Sequence, residues 1–137
     1  MIAYLDTSVI LRPLLGQRNI LSWKNWESVF SSDLLGLEAR RVFDRLRLEA
    51  ALDDLGVAKA HQELARIEQF IGRVPLTRNL LRRATLPMPT IVKTLDAIHL
   101  TSALVLQESG RGAVVFATHD LQQATAARAL GFEVAGS

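Results

Sequence analysis

The feature that most limits what this chain can fold into lies at its start. Ile2-Ala3-Tyr4-Leu5 has no polar break and leads straight into Asp6-Thr7-Ser8. An uninterrupted apolar and aromatic run predicts a strand buried on both faces. Such strands belong to α/β sheets covered by helices on both sides. The backbone must turn at Asp6, so its carboxylate is expected at the strand's carboxyl end. In open parallel sheets that edge is where ligands bind. The lesser alternative is that Asp6, Thr7 or Ser8 merely caps the next helix.

The rest of the composition is compatible with such a core. The 137 residues fit one domain spanning 1-137, and 49% hydrophobic against 22% charged residues excludes global disorder. The chain has no cysteine, which excludes disulfides and thiolate metal sites. No signal-peptide pattern and no membrane-length apolar run is present, so the expected location is the cytoplasm, with no membrane partner. Net charge is +2, but of the sixteen cations only Lys24, Lys59 and Lys93 are not arginine. Arginine suits bidentate phosphate contact. The arginines fit either a nucleic-acid or acidic-peptide partner, or solvated helix faces shared with Asp44, Glu49, Glu63 and Glu68.

Along the chain, Val9-Ile10-Leu11 predicts a short helix or turn interrupted by Pro13 and Gly16. Asn19 is expected to cap a helix carrying Trp23 and Trp26 as core anchors. Val29-Phe30-Ser31 reads as a second strand. Ser31-Ser32 then caps a long helix from about Asp33 to about Leu52, with Glu38 on its apolar side. A turn at Asp53-Asp54-Leu55-Gly56 and a helix to about Ile71 complete a helical hairpin. Arg73 to Leu76 predicts a third strand, and Thr77 caps a helix over Arg78 to Ala84. Thr94 is expected to cap a buried helix with Asp96 in its first turn and His99 three residues on. Ala113 to Ala117 is the clearest strand. It ends in Thr118-His119-Asp120 before a helix to Leu130, Gly131, and a last strand at Phe132-Glu133-Val134.

Four carboxylates therefore fall at related places. Asp6 and Asp120 end strands, while Glu38 and Asp96 sit near helix N-termini. In a right-handed βαβ arrangement these places converge on one sheet edge. Four neighbouring carboxylates call for a cation, and oxygen-only ligands favour Mg²⁺ or Mn²⁺. Such a site suits phosphodiester hydrolysis without a side-chain nucleophile. Thr7, Ser8 and Thr118 are candidates to orient ligands or water. His99 reads as structural, and His119 as solvent-facing with a proton-transfer role open to it.

The set Tyr4-Leu5-Asp6-Thr7-Ser8, Ser31-Ser32-Asp33-Leu34 leading to Glu38 and Arg41, Leu95-Asp96-Ala97-Ile98-His99-Leu100, and Ala117-Thr118-His119-Asp120 resembles a PIN-domain ribonuclease. Within that family it looks like the VapC toxins of toxin–antitoxin systems. The resemblance spans the chain. It implies a three-layer α/β/α fold with a central, mainly parallel sheet of about five strands. It implies Mg²⁺- or Mn²⁺-dependent endoribonuclease activity, with Asp6, Glu38, Asp96 and Asp120 in the acidic roles and Thr118 as a polar neighbour. It also implies a homodimer held inactive by a VapB-type antitoxin, whose tail lies along the groove. Arg41 or Arg45 would contact the RNA backbone or brace Glu38. Lys93 stands where the pattern has Arg, and His119 where a small residue is common.

Other classes fit less well. A haloacid-dehalogenase-like phosphatase wants a second Asp where Ser8 stands, and a dinucleotide-binding enzyme wants a Gly-rich turn after the first strand. A catalytically inactive PIN-like module that binds RNA or protein is the main alternative, and a purely structural interaction protein is a third.

Overall fold

The computed structural model describes residues 1–23 and 26–137. Its elements alternate as the apolar pattern requires. Strand β1 (Ile2–Leu5) is followed by α1 (Thr7–Leu14), β2 (Ser28–Ser32), α2 (Leu34–Leu48) and α3 (Asp54–Phe70). Then come β3 (Gly72–Val74), α4 (Arg78–Arg83), α5 (Thr94–Glu108), β4 (Val114–Ala117), α6 (Leu121–Ala129) and β5 (Glu133–Ala135). The five strands form one parallel sheet in the order β3-β2-β1-β4-β5.

Side-chain alternation along the central strands makes two cores. Ile2 and Tyr4 join Leu100, Leu106, Phe116 and Ala126 on one face. Ala3 and Leu5 point the other way, to Val9, Ile10, Leu35, Phe43 and Leu64. Helices α1, α2 and α3 thus cover one face and α5 and α6 the other, giving three α/β/α layers. All four residues of β1 are buried, and so are all four of β4. This double burial is what the unbroken apolar runs encode.

Chain order places the site. From β1 the chain steps to β2 and β3 on one side, then returns to β4 and β5 on the other. The reversal lies between the neighbouring strands β1 and β4, whose outgoing connections, to β2 and to β5, depart in opposite directions and leave a crevice at the strands' carboxyl ends.

Several local expectations need correction. There is no helix over the described part of the segment around Trp23 and Trp26. Asn19 has φ +60° and so does not cap one. Lys24 and Asn25 lie outside the described residues. Both tryptophans nonetheless pack on the α1–α3 core, as anchors should. Helix α2 stops at Leu48, before the expected Leu52, because Ala50 turns to φ +57° and Ala51 N donates back to the Leu46 carbonyl. Thr94 is the first helical residue of α5, and Lys93 takes the cap position without a side-chain bond. Thr77 caps α4, its Oγ1 accepting from Leu80 N; at α2 the cap position falls to Asp33 without a side-chain bond, Ser32 Oγ accepts from Leu34 N just before it, and Ser31 Oγ donates to the Leu5 carbonyl instead. No helix among the described residues is long and apolar enough to cross a membrane.

Candidate active site

Leu5 pairs with Ala117 at the ends of β1 and β4. The next residues, Asp6 and Thr118, therefore leave the sheet side by side. Asp6 is buried and caps α1, but capping is only part of its bonding. Its Oδ2 accepts from Ser8 N (3.2 Å), Ser8 Oγ (2.6 Å) and Thr118 Oγ1 (3.3 Å). Its Oδ1 lies 3.6 Å from His99 Nε2.

Glu38 is brought in by α2, whose Leu34, Leu35, Ala39 and Phe43 anchor that side of the helix in the core. Its Oε1 accepts from Thr7 Oγ1 at 2.7 Å and lies 2.5 Å from His99 Nε2. The expected pairing of Glu38 with Arg41 or Arg45 is absent among the described residues. Arg41 pairs with Asp44 at 3.3 Å, and Arg45 lies 4.0 Å from Glu49. Arg41 lies on the exposed side of α2 and Arg45 lines the neighbouring α1–α2 groove, so neither braces Glu38.

Asp96 lies in the first turn of α5, three residues before His99 and on the same helical side. Its carboxyl is pushed from the ordinary 3.8 up to about 6. Burial contributes most, followed by the negative charges of Asp6 and Asp120, while His99 opposes them. Asp120 caps α6 through Gln123 N (3.0 Å). These mutual effects place Asp6, Glu38, Asp96 and Asp120 in one electrostatic neighbourhood, as their positions in the chain imply.

The hydroxyls have definite partners. Thr7 holds Glu38, and Ser8 holds Asp6 while accepting from His119 N at 3.1 Å. Thr118 Oγ1 faces Gln123 Oε1 at 2.7 Å and accepts from Asp120 N at 3.0 Å. One hydroxyl thus ties the Asp6 turn to the Asp120 turn. His119 does not simply face solvent. Its Nδ1 donates to the Gly136 carbonyl at 2.8 Å and pins the end of the chain beside β4.

His99 takes the structural place that the sequence assigns it, but among the acids. It is fully buried, with Nδ1 2.7 Å from Tyr4 Oη and Nε2 between Glu38 and Asp6. Burial alone lowers the imidazolium. The Glu38 hydrogen bond and the charges of Asp6, Glu38 and Asp96 outweigh it and hold the group above its usual 6.5. Burial pushes the Tyr4 phenol well above 10, so it serves as a neutral hydrogen-bonding support. Histidine at i+3 from an acidic helix N-terminus was the available signal. What the spacing could not reveal was Tyr4 waiting on the adjacent strand.

The donor set fits a hard divalent cation. Its free ligand atoms are carboxylate oxygens, and the repulsion among Asp6, Asp96 and Asp120 that raises Asp96 is what a bound cation would relieve. Among the described residues, however, no three His, Asp or Glu side chains stand ready-set around one metal position. His99 already engages Glu38 and approaches Asp6. No protein-family model matches the sequence, and no curated protein matches it.

Proposed function

We propose that this protein is a metal-dependent endoribonuclease of the PIN type, acting as the toxin of a type II toxin–antitoxin pair. What supports the nuclease reading is that Asp6, Asp120 and Glu38 all help to raise Asp96 to about 6, beside the β1 and β4 ends where Asp6 and Thr118 leave the sheet together. The toxin role, the homodimer and the VapB-type antitoxin rest on the sequence resemblance.

Asp6, Asp96, Asp120 and Glu38 would hold Mg²⁺ or Mn²⁺. The ion, when bound, supplies an acidified water and neutralises charge on the leaving oxygen. The protein's own part is positioning. Ser8 and Thr118 hold Asp6 Oδ2, which turns Oδ1 toward the site. Thr7 and His99 hold Glu38 Oε1, which leaves Oε2 to orient a water or a ligand. Tyr4 fixes the His99 ring from behind.

The second reading, an inactive PIN-like RNA- or protein-binding module, is favoured by one observation. His99 bridges Glu38 and Asp6, and such a bridge supplies a positive charge of its own. Manganese binding followed by electron paramagnetic resonance separates the two. Asp6→Asn, Glu38→Gln, Asp96→Asn and Asp120→Asn should each weaken Mn²⁺ binding by roughly tenfold or more. Wild-type Mn²⁺ affinity in all four variants would leave the inactive module as the better reading.

A further inference from the structure

A groove of about 420 Å³ opens between α1 and α2, directly beside the acids. Its polar lining is Ser8, Arg12, Gln17, Arg45, His119 and Asp120, and Leu11, Leu15, Val42 and Leu46 complete it. It shares Ser8 and Asp120 with the site, so a chain-like ligand lying across the acids continues into it.

Several of the chain's arginines are already committed to carboxylates. Arg40 is tied to Glu68, Arg41 and Arg47 to Asp44, and Arg83 to Glu108. Arg12 is half-buried and reaches only the backbone carbonyls of Arg18 (3.4 Å) and Asn19 (3.3 Å), with no carboxylate within 4.0 Å among the described residues. Carbonyls orient a guanidinium without cancelling its charge. Arg45 has the 4.0 Å contact with an exposed Glu49, and a pair so long and so wet neutralises little. Neither arginine is paired with Asp120 across the groove. Two guanidinium groups thus keep their charge for an outside anion.

The opposite flank has other chemistry. The cavity at the α4–α5 connection is walled by Leu81, Met88, Ile91 and Val92, with Lys93 as its cation among the described residues. A sugar–phosphate backbone is poorly served there.

We propose that the α1–α2 groove is a phosphate subsite for single-stranded RNA, in which Arg12 and Arg45 seat the backbone phosphate neighbouring the one at the acids. The assignment rests on the nuclease reading for what happens at the acids, but the groove's affinity for RNA is a separate quantity. Guanidinium groups suit it because their forked N–H donors match phosphate oxygens in pairs.

The test is fluorescence anisotropy with a labelled single-stranded oligoribonucleotide over a salt series, in an Asp96→Asn background so that the probe stays whole. Arg12→Gln and Arg45→Gln should each weaken binding roughly three- to tenfold. Each should flatten the dependence of log K on log salt by about 0.7. Lys93→Gln should change neither. Wild-type affinity and slope in both arginine variants, with circular dichroism showing them folded, would overturn the subsite. So would a parent chain that binds no RNA. A parallel cleavage assay with the Asp96 chain keeps the two ideas apart. Arginine-dependent binding without cleavage retains the subsite and sinks the nuclease. Cleavage with arginine-independent binding does the reverse.

Discussion

Replacing Asp96 with Asn should make the metal-free protein more stable, although it removes a residue that the proposed activity needs. Asp96 is half-buried, and its carboxyl is raised from 3.8 to about 6 by burial and by Asp6 and Asp120. The folded state therefore holds this proton more tightly than the unfolded chain does. Below the unfolded value both states are protonated and nothing is lost. As pH rises from 3.8 to about 6 the folded state is progressively penalised, and above about 6 the full penalty applies. The gap between the two values corresponds to about 3 kcal/mol as a ceiling. Water on the open side of the carboxyl screens it, so about 1–2 kcal/mol is the working figure. Asn keeps the shape and removes the charge. Urea unfolding of both proteins in EDTA should show Asp96→Asn ahead by that amount at about pH 7.5, with the gain gone at about pH 4. Added Mn²⁺ should reverse the order, because only wild type gains strongly from binding. The reasoning is refuted if the variant is no more stable near pH 7.5, or if its gain is the same at both pH values.

Two further substitutions probe neighbouring parts of the account. His99→Gln removes a buried, charge-assisted bond to Glu38, and should cost about 2–3 kcal/mol in mildly acidic solution. Because the imidazole is held above 6.5, that contribution is full below 6.5 and fades as pH rises through the folded value. Unfolding curves of the pair across pH should therefore converge toward alkaline pH, and a constant gap would contradict the assignment. Gly72→Ala places a methyl 2.3 Å from the Phe30 ring, across the β2–β3 pairing. The ring must move, at about 1–3 kcal/mol by chemical denaturation, and an unchanged midpoint would mean the packing there is looser than described.

Much of this architecture was legible because the strands at its centre are buried on both faces. Ile2 to Leu5 and Val114 to Ala117 admit no polar residue, so their identity and parallel setting follow from composition. The places of the carboxylates were legible for related reasons: Asp6 and Asp120 follow apolar strands, Asp96 falls in the first turn of α5, and Glu38 lies on the apolar side of α2 in its second turn. Among the described residues, the expected helix at Asn19 to Trp23 and at Trp26 is missing: two tryptophans three apart mimic a helical face, while long-range packing on the α1–α3 core decides the matter. The end of α2 was misplaced because an alanine at φ +57° carries no turn signal. The structural role of His99 was legible, but not its partners, since Tyr4 and Glu38 stand 95 and 61 residues away in sequence. Arg45 was noticed but its direction was not, since helical spacing cannot tell a brace for Glu38 from a lining of the neighbouring groove.

The central claim is that the four acids cut RNA, and the most direct measurement is cleavage of total cellular RNA by the purified chain. Mg²⁺ or Mn²⁺ is supplied, with EDTA and Asp6→Asn as controls. The account predicts discrete, metal-dependent cuts that vanish in EDTA and in the variant. Cuts that persist unchanged in the folded Asp6→Asn protein would contradict it, and so would a wild-type chain that binds Mn²⁺ and its RNA yet leaves every species intact.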